Sequence, residues 1–421
     1  MNDVGDARVV VIGAGPAGLA AASRLARSGV SPVLVVDRDD APGGLPRYCR
    51  HPGFGWHYTH RFESGPKFVR RLMHGIDRTN VRLLMKTTAL SIEEGPVLKV
   101  TGPEIGNATL RPDALILATG ILERSRGARL IPGDRPAEGV FSTGLLQQIE
   151  TRGGKIASRR LIVAGSEHVS FSVLLTARHL GVRVIALIEP GPRIASFPIA
   201  SLASRLVFGA PVLLGTHITE IVGRDKVEAV IVEDDRGARR MECDGVVLTA
   251  DWVVDSKLAE AAPLTIDAAT GGPVIDQAMR TSLPGVFAAG NLLHPVEASG
   301  IAALEGERAG AFADAYLRDE LPDWEDSTPI GIDTPVRYLV PQRWAPYLDE
   351  PDATPRLRAS AQLSEDRRSR LVLRKGNAVL WQGRFGSLRA RRQLRPKLES
   401  LTAEGCRLGD GPVLSVEANG G

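Results

Sequence analysis

The stretch VVVIGAGPAGLAAASRLARSGVSPVLVVD, residues 9–37, decides the fold of this chain. The apolar run Val9–Ile12 predicts a buried strand, and the motif Gly-Ala-Gly-Pro-Ala-Gly follows it directly. An alanine- and leucine-rich segment that reaches Arg27 predicts a helix, which Gly29 stops. A second apolar run, Val33–Val36, ends at Asp37. This order of strand, glycine turn, helix, strand and acid predicts a parallel βαβ unit.

Each glycine of the motif has its own physical role. Gly13 permits a tight turn out of the strand, and Gly15 lets the backbone approach a pyrophosphate closely. Gly18 lets the helix pack against the strand, while the helix N-terminus offers free N–H groups to phosphates. Asp37 is placed to accept hydrogen bonds from an adenosine ribose. The unit is therefore predicted to bind a dinucleotide.

The same layout recurs from residue 161 onward. An apolar run leads into Gly165, a helix is predicted over residues 168–180, and a second apolar run ends at Glu189. The spacing from Gly165 to Glu189 equals the spacing from Gly13 to Asp37. Internal duplication of one nucleotide-binding module is the simplest account of this match.

The second copy differs at the position nearest to the phosphates. Alignment of the two turns places Glu167 at the position of Gly15 and Ser170 at the position of Gly18. A carboxylate at that point is bulky and carries the same charge as a pyrophosphate, so it disfavours dinucleotide binding. Glu189 would suit the unphosphorylated ribose of NAD. Two interpretations therefore stay open, an NAD(H) site and a scaffold that has lost its ligand.

Short apolar runs after each copy predict further strands. They lie at residues 81–85, 97–100 and 114–118 in the first module and at 212–214, 227–233 and 245–250 in the second. A strand leading to Gly290 and a helix over residues 301–317 follow. Past a linker rich in Pro, Asp and Thr, strands are predicted at 336–340, 357–359, 371–374 and 378–381, with Gly376-Asn377 as a hairpin turn.

The predicted fold class is α/β, with two duplicated Rossmann-like, three-layer ββα dinucleotide-binding domains and a small, mostly β C-terminal domain. The predicted segments are residues 1–125, 126–255, 256–325 and 326–421, and the last of them is the C-terminal domain.

Composition excludes several classes of protein. The chain has 421 residues, of which 43% are hydrophobic and 24% charged, so it can build more than one core. A net charge of +3 gives no argument for nucleic acid or membrane, and the arginines after residue 366 accompany no recognition helix. No apolar run reaches about 18 residues, so no transmembrane helix is expected. The three cysteines form no CxxC pair and predict no metal site, and they favour a cytoplasmic location.

Three further motifs carry a family resemblance. They are Gly43-Gly44, Ala118-Thr119-Gly120 and TSLPGVFAAGN at residues 281–291. With the first glycine motif, they make residues 7 to about 320 resemble the FAD-dependent pyridine nucleotide–disulfide oxidoreductase superfamily, with a thioredoxin-reductase-like fold. Within it, the chain is most similar to the branch of opine and hydroxyproline dehydrogenase and hydrogen cyanide synthase flavoprotein subunits.

The resemblance implies an FAD-binding domain in two parts, residues 1–125 and 256–325, around an inserted NAD(P)-binding-like domain, residues 126–255. It implies FAD contacts from Gly13, Gly15, Gly18, Asp37, Gly43, Gly44, Thr119, Gly120, Gly290 and Asn291, to which we add Pro16, Ala17 and Arg47. The family's last motif usually ends in Asp, which bonds the ribityl chain of the flavin. Asn291 can accept or donate a hydrogen bond at that place.

The chain departs from the family at its cysteines. Disulfide reductases of the superfamily carry a cysteine pair, whereas Cys49 stands alone after Gly43-Gly44. Thiol–disulfide exchange with an internal pair is therefore excluded. Arg47, Arg50 and His51 would favour a Cys49 thiolate, which leaves a lone redox thiol as an alternative to a small side chain near the cofactor. The tail also lacks the cysteine cluster of an iron–sulfur centre.

Candidate catalytic residues beside a flavin are few. The stretch 47–61 interleaves Arg47, Arg50, Arg61, His51, His57 and His60 with aromatic residues. This mixture suits a carboxylate-bearing substrate and proton transfer, or a polar loop that covers FAD or docks a partner. His294 and Glu297 open the helix whose N-terminus, by the resemblance, faces the flavin, and helix capping is the alternative role. The weak catalytic candidates are therefore Cys49, His51 and His294.

Three functions follow, in order of preference. The first is an FAD-dependent dehydrogenase or electron-transfer flavoprotein, which works on an amine or amino acid with a second flavoprotein or electron-acceptor subunit. The second is a self-contained NADH-dependent reductase of a small molecule, quinone or protein, which Glu189 favours and Glu167 opposes. The third is a non-catalytic nucleotide-binding subunit. In each case we expect an oligomer, with a small-molecule substrate for the two enzymes.

Overall fold

The computed structural model of the chain describes residues 7–76, 80–345, 348–390, 392–398, 401 and 411–417. They form two compact units. The first unit contains the chain up to Arg47, residues Gly53–Ile121 and the chain from Val254 onward, and the second contains Tyr48–Pro52 and Leu122–Val253. The four segments drawn from the sequence stay a prediction beside this division.

The first unit opens with the predicted βαβ layout. Its elements up to residue 123 are β1 Val9–Ile12, α1 Pro16–Arg27, β2 Val33–Val36, β3 Pro52–Phe54, α2 Trp56–Thr59, β4 Glu63–Ser64, α3 Gly65–His74, β5 Val81–Leu84, β6 Thr88–Glu93, β7 Val97–Gly102, β8 Gly106–Leu110, β9 Ala114–Leu117 and β10 Ile121–Glu123. Strands β9, β1, β2 and β5 lie side by side and are parallel. Every residue of β1, β2 and β9 is buried, which explains their continuous apolar runs.

The second unit repeats this design. Its elements are β11 Val140–Ser142, α4 Thr143–Thr151, β12 Arg160–Ala164, α5 His168–His179, β13 Arg183–Glu189, α6 Pro198–Phe208, β14 Val212–Leu214, β15 His217–Val222, β16 Ala229–Asp234, β17 Gly237–Glu242, β18 Gly245–Leu248 and β19 Trp252–Val254. The parallel order β11-β18-β12-β13-β14 is followed by an antiparallel sheet β15-β16-β17, as β6-β7-β8 follows in the first unit. The Gly165 N–H donates to Ile188 O at 2.8 Å, and the Gly13 N–H donates to Val36 O at 2.8 Å. The duplication inferred from spacing therefore extends to strand order.

The chain then returns to the first sheet. The returning elements are α7 Lys257–Glu260, β20 Val286–Ala288 and α8 Ser299–Leu317. Strand β20 pairs in parallel with β9 and completes the order β20-β9-β1-β2-β5. The first nucleotide-binding sheet is thus discontinuous in sequence, and the predicted α/β class with two Rossmann-like modules is confirmed.

Beyond residue 320 the described chain is mostly β. Its strands are β21 Thr328–Pro329, β22 Gly331–Ile332, β23 Val336–Val340, β24 Arg343–Trp344, β25 Ser360–Leu363, β26 Arg367–Lys375, β27 Ala378–Gln382, β28 Gly386–Leu388 and β29 Val413–Glu417. Strands β22, β29, β26 and β27 form one sheet over an apolar core that includes Leu373 and Leu414. We call residues 322–417 the C-terminal segment.

Two predictions for the C-terminal segment have different outcomes. The hairpin turn at Gly376-Asn377 is confirmed, because Lys375 pairs with Ala378 across it and Gly376 has φ +53°. The strand predicted at residues 357–359 is wrong, since β25 begins at Ser360. Its partner β23 ends at Val340, opposite Ser360, and Pro341 follows without an N–H for the ladder.

Helix α1 packs closely against the turn before it and against α8 because glycine stands at the points of contact. A Cβ on Gly18 would lie 1.8 Å from Gly13 O, and a Cβ on Gly306 of α8 would lie 1.9 Å from Ala17 O. A Cβ on Gly290 would lie 2.8 Å from the Ala17 side chain. These distances are too short for any larger residue, so α1, α8 and the turn before α1 form one close-packed group.

No helix in the described ranges combines the length and apolarity that a membrane crossing requires.

We predict that Gly306→Ala destabilises the protein by about 3 kcal/mol, because the new methyl group overlaps a backbone carbonyl that cannot rotate away. Thermal unfolding measures the change. Gly127→Ala is the matched control, since Gly127 is exposed and a Cβ there meets only Ser125 Oγ at 3.9 Å. Equal unfolding temperatures for the two variants would contradict the packing argument.

Candidate functional site

The N-terminus of α1 is the best-formed anion site in the first unit. Its N-cap is Gly15, no described side chain caps it, and a Cβ on Gly15 would have no described heavy atom within 4 Å. Pro16 occupies the first helical position, where its missing N–H costs nothing. The amide groups of the first turn therefore face free space beside a positive helix end, which suits a pyrophosphate.

Two distant glycine segments lie against this turn. The Gly43 N–H donates to Ala14 O at 2.8 Å, and a Cβ on Gly44 would lie 3.2 Å from Gly15 Cα. Gly290 approaches Ala17 from the other part of the chain. The structure thus brings together Gly13 to Gly18, Gly43, Gly44 and Gly290 in a backbone cradle of the kind that suits a diphosphate, and their contacts with FAD stay predictions.

Asp37 lies at the same turn. Its Oδ2 accepts from the Ala14 N–H at 2.6 Å, and its Oδ1 accepts from the Asp39 N–H at 2.8 Å. Each carboxylate oxygen has a second lone pair for a hydroxyl. The contact of Asp37 with a ribose stays a prediction, with the carboxylate held in place by two amides.

Arg47, Thr119 and Gly120 are each held by other parts of the first unit. Arg47 forms ion pairs with Asp39 and Asp40, at 3.3 and 3.0 Å. The Thr119 hydroxyl donates to Asp255 O at 2.7 Å, and the Asp255 N–H donates to Gly120 O at 2.8 Å. Their contacts with FAD stay predictions.

Asn291 closes a loop that follows Gly290, and we call residues 290–297 the flavin loop. Asn291 Oδ1 accepts from the Glu297 N–H at 2.8 Å, and its Nδ2 donates to Glu297 O at 3.4 Å. An ionised Asp could accept the first bond but could not donate the second. The amide of Asn291 therefore makes a pair of bonds with Glu297 that a carboxylate could not make, and its contact with FAD stays a prediction.

His294, a residue of the flavin loop, forms a buried pair with Glu305 of α8. His294 is fully buried, its Nε2 lies 3.3 Å from Glu305 Oε1, and its Nδ1 has no hydrogen-bond partner among the described residues. Burial lowers the pKa of His294, but Glu305 and Glu297 outweigh burial and raise that pKa overall. Glu305 Oε2 also accepts from the Gly290 N–H at 3.1 Å, so the pair supports the start of the loop.

Three residues near the flavin loop were missed by sequence reasoning. They are Glu305, Arg395 and Tyr338. Arg395 pairs with Glu297, whose side chain is only 4% exposed, and the Tyr338 hydroxyl lies 3.5 Å from Pro295 O. Burial raises the pKa of Glu297, while Arg395 lowers it. Arg395 and Glu297 stand 98 residues apart, and nothing in the local sequence signals their contact.

The second unit closes its equivalent of the anion site with its own side chains. Glu167 is the N-cap of α5 and forms a capping box with Ser170, whose Oγ accepts from the Glu167 N–H at 3.1 Å. Ser170 Oγ also lies 2.6 Å from Thr249 Oγ1. Glu189 is fully buried and accepts from Ser166 Oγ and from the Gly191 N–H. The groups that would hold a dinucleotide are thus bonded to one another.

The surroundings of Cys49 do not favour the thiolate that the redox-thiol alternative requires. It is buried in the second unit, and its Sγ lies 3.3 Å from Gln147 Oε1. Burial raises the pKa of the Cys49 thiol to about 12, with a contribution from Glu123. Arg50, expected to favour the thiolate, forms an ion pair with Glu150 at 3.1 Å. The thiol is therefore protonated at neutral pH.

The structure gives less information on His51 and on the other two cysteines. His51 Nδ1 lies 2.9 Å from Pro52 O, and burial lowers the pKa of His51. Cys243 is also buried, and Cys406 lies outside the described residues. Within the described ranges, no group of three His, Cys, Asp or Glu side chains is placed to hold a metal ion.

Comparison with known proteins gives one family match. The family model described as pyridine nucleotide-disulphide oxidoreductase matches residues 7–306. Among curated proteins, the ferredoxin–NADP reductase of Ignicoccus hospitalis is 25% identical over 73% of this chain and 97% of its own length. An opine oxidase subunit of Rhizobium meliloti is 24% identical over 67% of this chain, which spans only 58% of that relative. The solved thioredoxin reductase of T. acidophilum has a TM-score of 0.61 and 22% identity, over 73% of this chain and 97% of that one.

We predict that Gly15→Glu lowers the flavin content of the purified protein by more than about tenfold, because the carboxylate repels a diphosphate at the α1 N-terminus. The free space at Gly15 lets the variant fold, which circular dichroism checks. Visible absorbance measures the flavin. Gly127→Glu adds the same charge at an exposed loop and should keep the flavin; a fully loaded Gly15→Glu protein would disprove this site.

We further predict that Cys49 resists thiol reagents in the native protein. With a pKa of about 12, its thiolate fraction at pH 8 is about 10⁻⁴, and reagents react with the thiolate. Labelling by a chromogenic disulfide in a Cys406→Ser background should be slow until the protein is unfolded. Cys243, whose pKa burial raises to about 11, should be protected as well. Rapid labelling of native Cys49 would contradict the burial argument.

Proposed function

The chain belongs to the pyridine nucleotide-disulphide oxidoreductase family. Within that family we propose that this chain takes electrons from an amine or amino acid rather than from NADH. It is an FAD-dependent oxidoreductase, and NAD(P)H is the usual electron donor among its relatives. Bound FAD supplies the hydride and electron transfer. The side chains of the chain have to hold the cofactor, admit the donor and handle its proton.

The proposal rests on one observation, which is that Glu167 and Ser170 cap the N-terminus of α5. To bind NADH there, a diphosphate would have to displace the Glu167–Ser170 capping box and lie beside the Glu167 carboxylate. The ribose would also need Glu189, which is fully buried, whereas Asp37 is partly exposed. In contrast, the α1 N-terminus is uncapped by any described side chain. A single dinucleotide per chain, FAD, matches this difference.

The chemistry around Cys49 supports a donor other than a dithiol. Cys49 is a protonated, buried thiol, and Cys243 is a buried thiol as well. Neither residue offers a disulfide to exchange with a substrate. The similarity to the opine oxidase subunit of Rhizobium meliloti supports an amine or amino acid as the donor, together with a second flavoprotein or electron-acceptor subunit. We place the protein in the cytoplasm, where reduced thiols persist.

For the proton of the donor we propose His57. Its backbone packs against the first turn of α8, since a Cβ on Gly300 would lie 3.3 Å from His57 Cβ and N. Burial lowers the pKa of His57, and Arg358 and Arg395 lower it further. The imidazole is therefore neutral at pH 7 and able to accept a proton. Arg358 is exposed and has no ion-pair partner among the described residues, so it suits a substrate carboxylate.

The second candidate is a self-contained NADH-dependent reductase. The complete parallel sheet of the second unit and the Gly165 turn favour it, as does the similarity to a ferredoxin–NADP reductase. Membership of an oxidoreductase family argues against the third, non-catalytic alternative.

One anaerobic titration separates the two enzymes. We expect the flavin absorbance of the purified protein to persist after NADH and NADPH are added in turn, because α5 is capped by Glu167. Amines and amino acids, added with any subunit that co-purifies from the native host, should bleach it. Rapid bleaching of the wild-type protein by NADH would overturn the proposal in favour of the reductase.

A variant makes this test sharper. Replacing Glu167 by Gly removes the carboxylate that blocks the α5 N-terminus and recreates the glycine of the first module. If Glu167 is the obstacle, Glu167→Gly should accelerate bleaching by NADH while leaving the FAD content unchanged. Unchanged inertness of this variant would show that the obstacle lies elsewhere in the second unit.

A further inference from the structure

We propose that Arg395 is a positioning residue for FAD, so that the C-terminal segment completes the cofactor site of its own chain. The family match ends at residue 306, whereas Arg395 and its neighbours lie well beyond it. The inference rests on the FAD site proposed above, because the flavin loop is a part of that site.

Several contacts join the C-terminal segment to the flavin loop. The Arg395 guanidinium pairs with the Glu297 carboxylate and also donates to Ala359 O at 3.5 Å. The Gln393 side-chain amide donates to Pro295 O at 3.2 Å. Gln393 is held in turn by the Tyr338 hydroxyl and by Ser360 Oγ, which donates to it at 2.7 Å. Residues from three parts of the C-terminal segment thus hold the end of the flavin loop.

Hydrogen bonds connect the end of the flavin loop to its start. Glu297 exchanges two hydrogen bonds with the Asn291 side chain through its backbone. Asn291 directly follows Gly290, whose N–H is bonded to Glu305 and whose Cα packs on Ala17 at the N-terminus of α1. A displacement of Glu297 therefore moves the residues that border the diphosphate cradle.

The network that holds the flavin loop contains charges of both signs. Glu297, Glu305 and His294 are all buried, and Arg395 supplies a positive charge to Glu297 from a side chain that is 35% exposed. Loss of Arg395 leaves a buried carboxylate without its cation, which strongly favours a rearranged loop. Loss of the carboxylate leaves Arg395 free to turn toward water, and the flavin loop loses the same tie. Both changes weaken the hold on FAD but change the local charge in opposite directions.

The experiment compares Arg395→Gln with Glu297→Gln at pH 8. Each should weaken FAD binding to the refilled apoprotein on the order of tenfold, measured by flavin fluorescence. The reduction potential of the bound flavin should fall in Arg395→Gln, because a positive charge is lost, and should rise in Glu297→Gln, because a negative charge is lost. Arg395→Lys should recover most of the affinity, and the double variant should be no worse than either single one.

Arg374→Gln is the matched control. The Arg374 side chain is 35% exposed, like that of Arg395, and it pairs with Glu417. Both partners lie within the C-terminal segment, and neither reaches the flavin loop. It should therefore leave FAD affinity and potential unchanged, even if it lowers the unfolding temperature. If Arg395→Gln does not fold, Glu297→Gln alone tests the link, since it keeps the shape of the side chain.

The outcomes distinguish this inference from the proposed function. Unchanged FAD affinity and unchanged potential in folded Arg395→Gln or Glu297→Gln would overturn the role of Arg395 and leave the proposed function standing. Potentials that move in the same direction in both variants would also overturn it, because a merely structural loss does not follow the sign of the charge. A wild-type protein that binds no FAD would overturn both.

Discussion

The structure depends on the close approach of α1 to the turn before it and to α8. Gly18 meets Gly13 O, and Gly306 meets Ala17 O, at distances that no side chain allows. This packing directs the first amides of α1 into free space at the end of a buried parallel sheet. It also binds the returning strand β20 and helix α8 to a sheet whose first strand, β1, lies far earlier in the sequence. These two close contacts thus join the N-terminus of α1 to the returning part of the chain.

The two modules show how a single side chain changes the use of a helix N-terminus. Their strand orders agree, and the same amide-to-carbonyl bond closes both glycine turns. A helix end without a side-chain cap attracts an external anion, whereas a capped one has its donors satisfied. Gly15 leaves the first end free, and Glu167 with Ser170 satisfies the second. The duplicated scaffold from β11 to β18 is supported by two apolar clusters of its own.

The C-terminal segment gives the flavin loop partners that the family match does not include. Glu297 is buried against Arg395, and Pro295 O accepts from Gln393. The flavin loop is therefore held from both sides. Glu305 bonds Gly290 and His294 of the loop, and the C-terminal segment holds its other end. Because a buried charge is stable only with its partner in place, this arrangement links the folding of the tail to the geometry of the loop.

The sequence by itself determined the βαβ unit, the glycine cradle, the duplication and the altered anion position at Glu167, because each follows from local chain chemistry at fixed spacing. It also predicted the hairpin at Gly376-Asn377 from its turn residues. Only the tertiary structure decided that Cys49 is a buried thiol, that Asn291 bonds Glu297, and that Arg395 reaches the flavin loop. Burial and pairing across 98 residues depend on how separate segments pack, and a local pattern of residues carries no record of that packing.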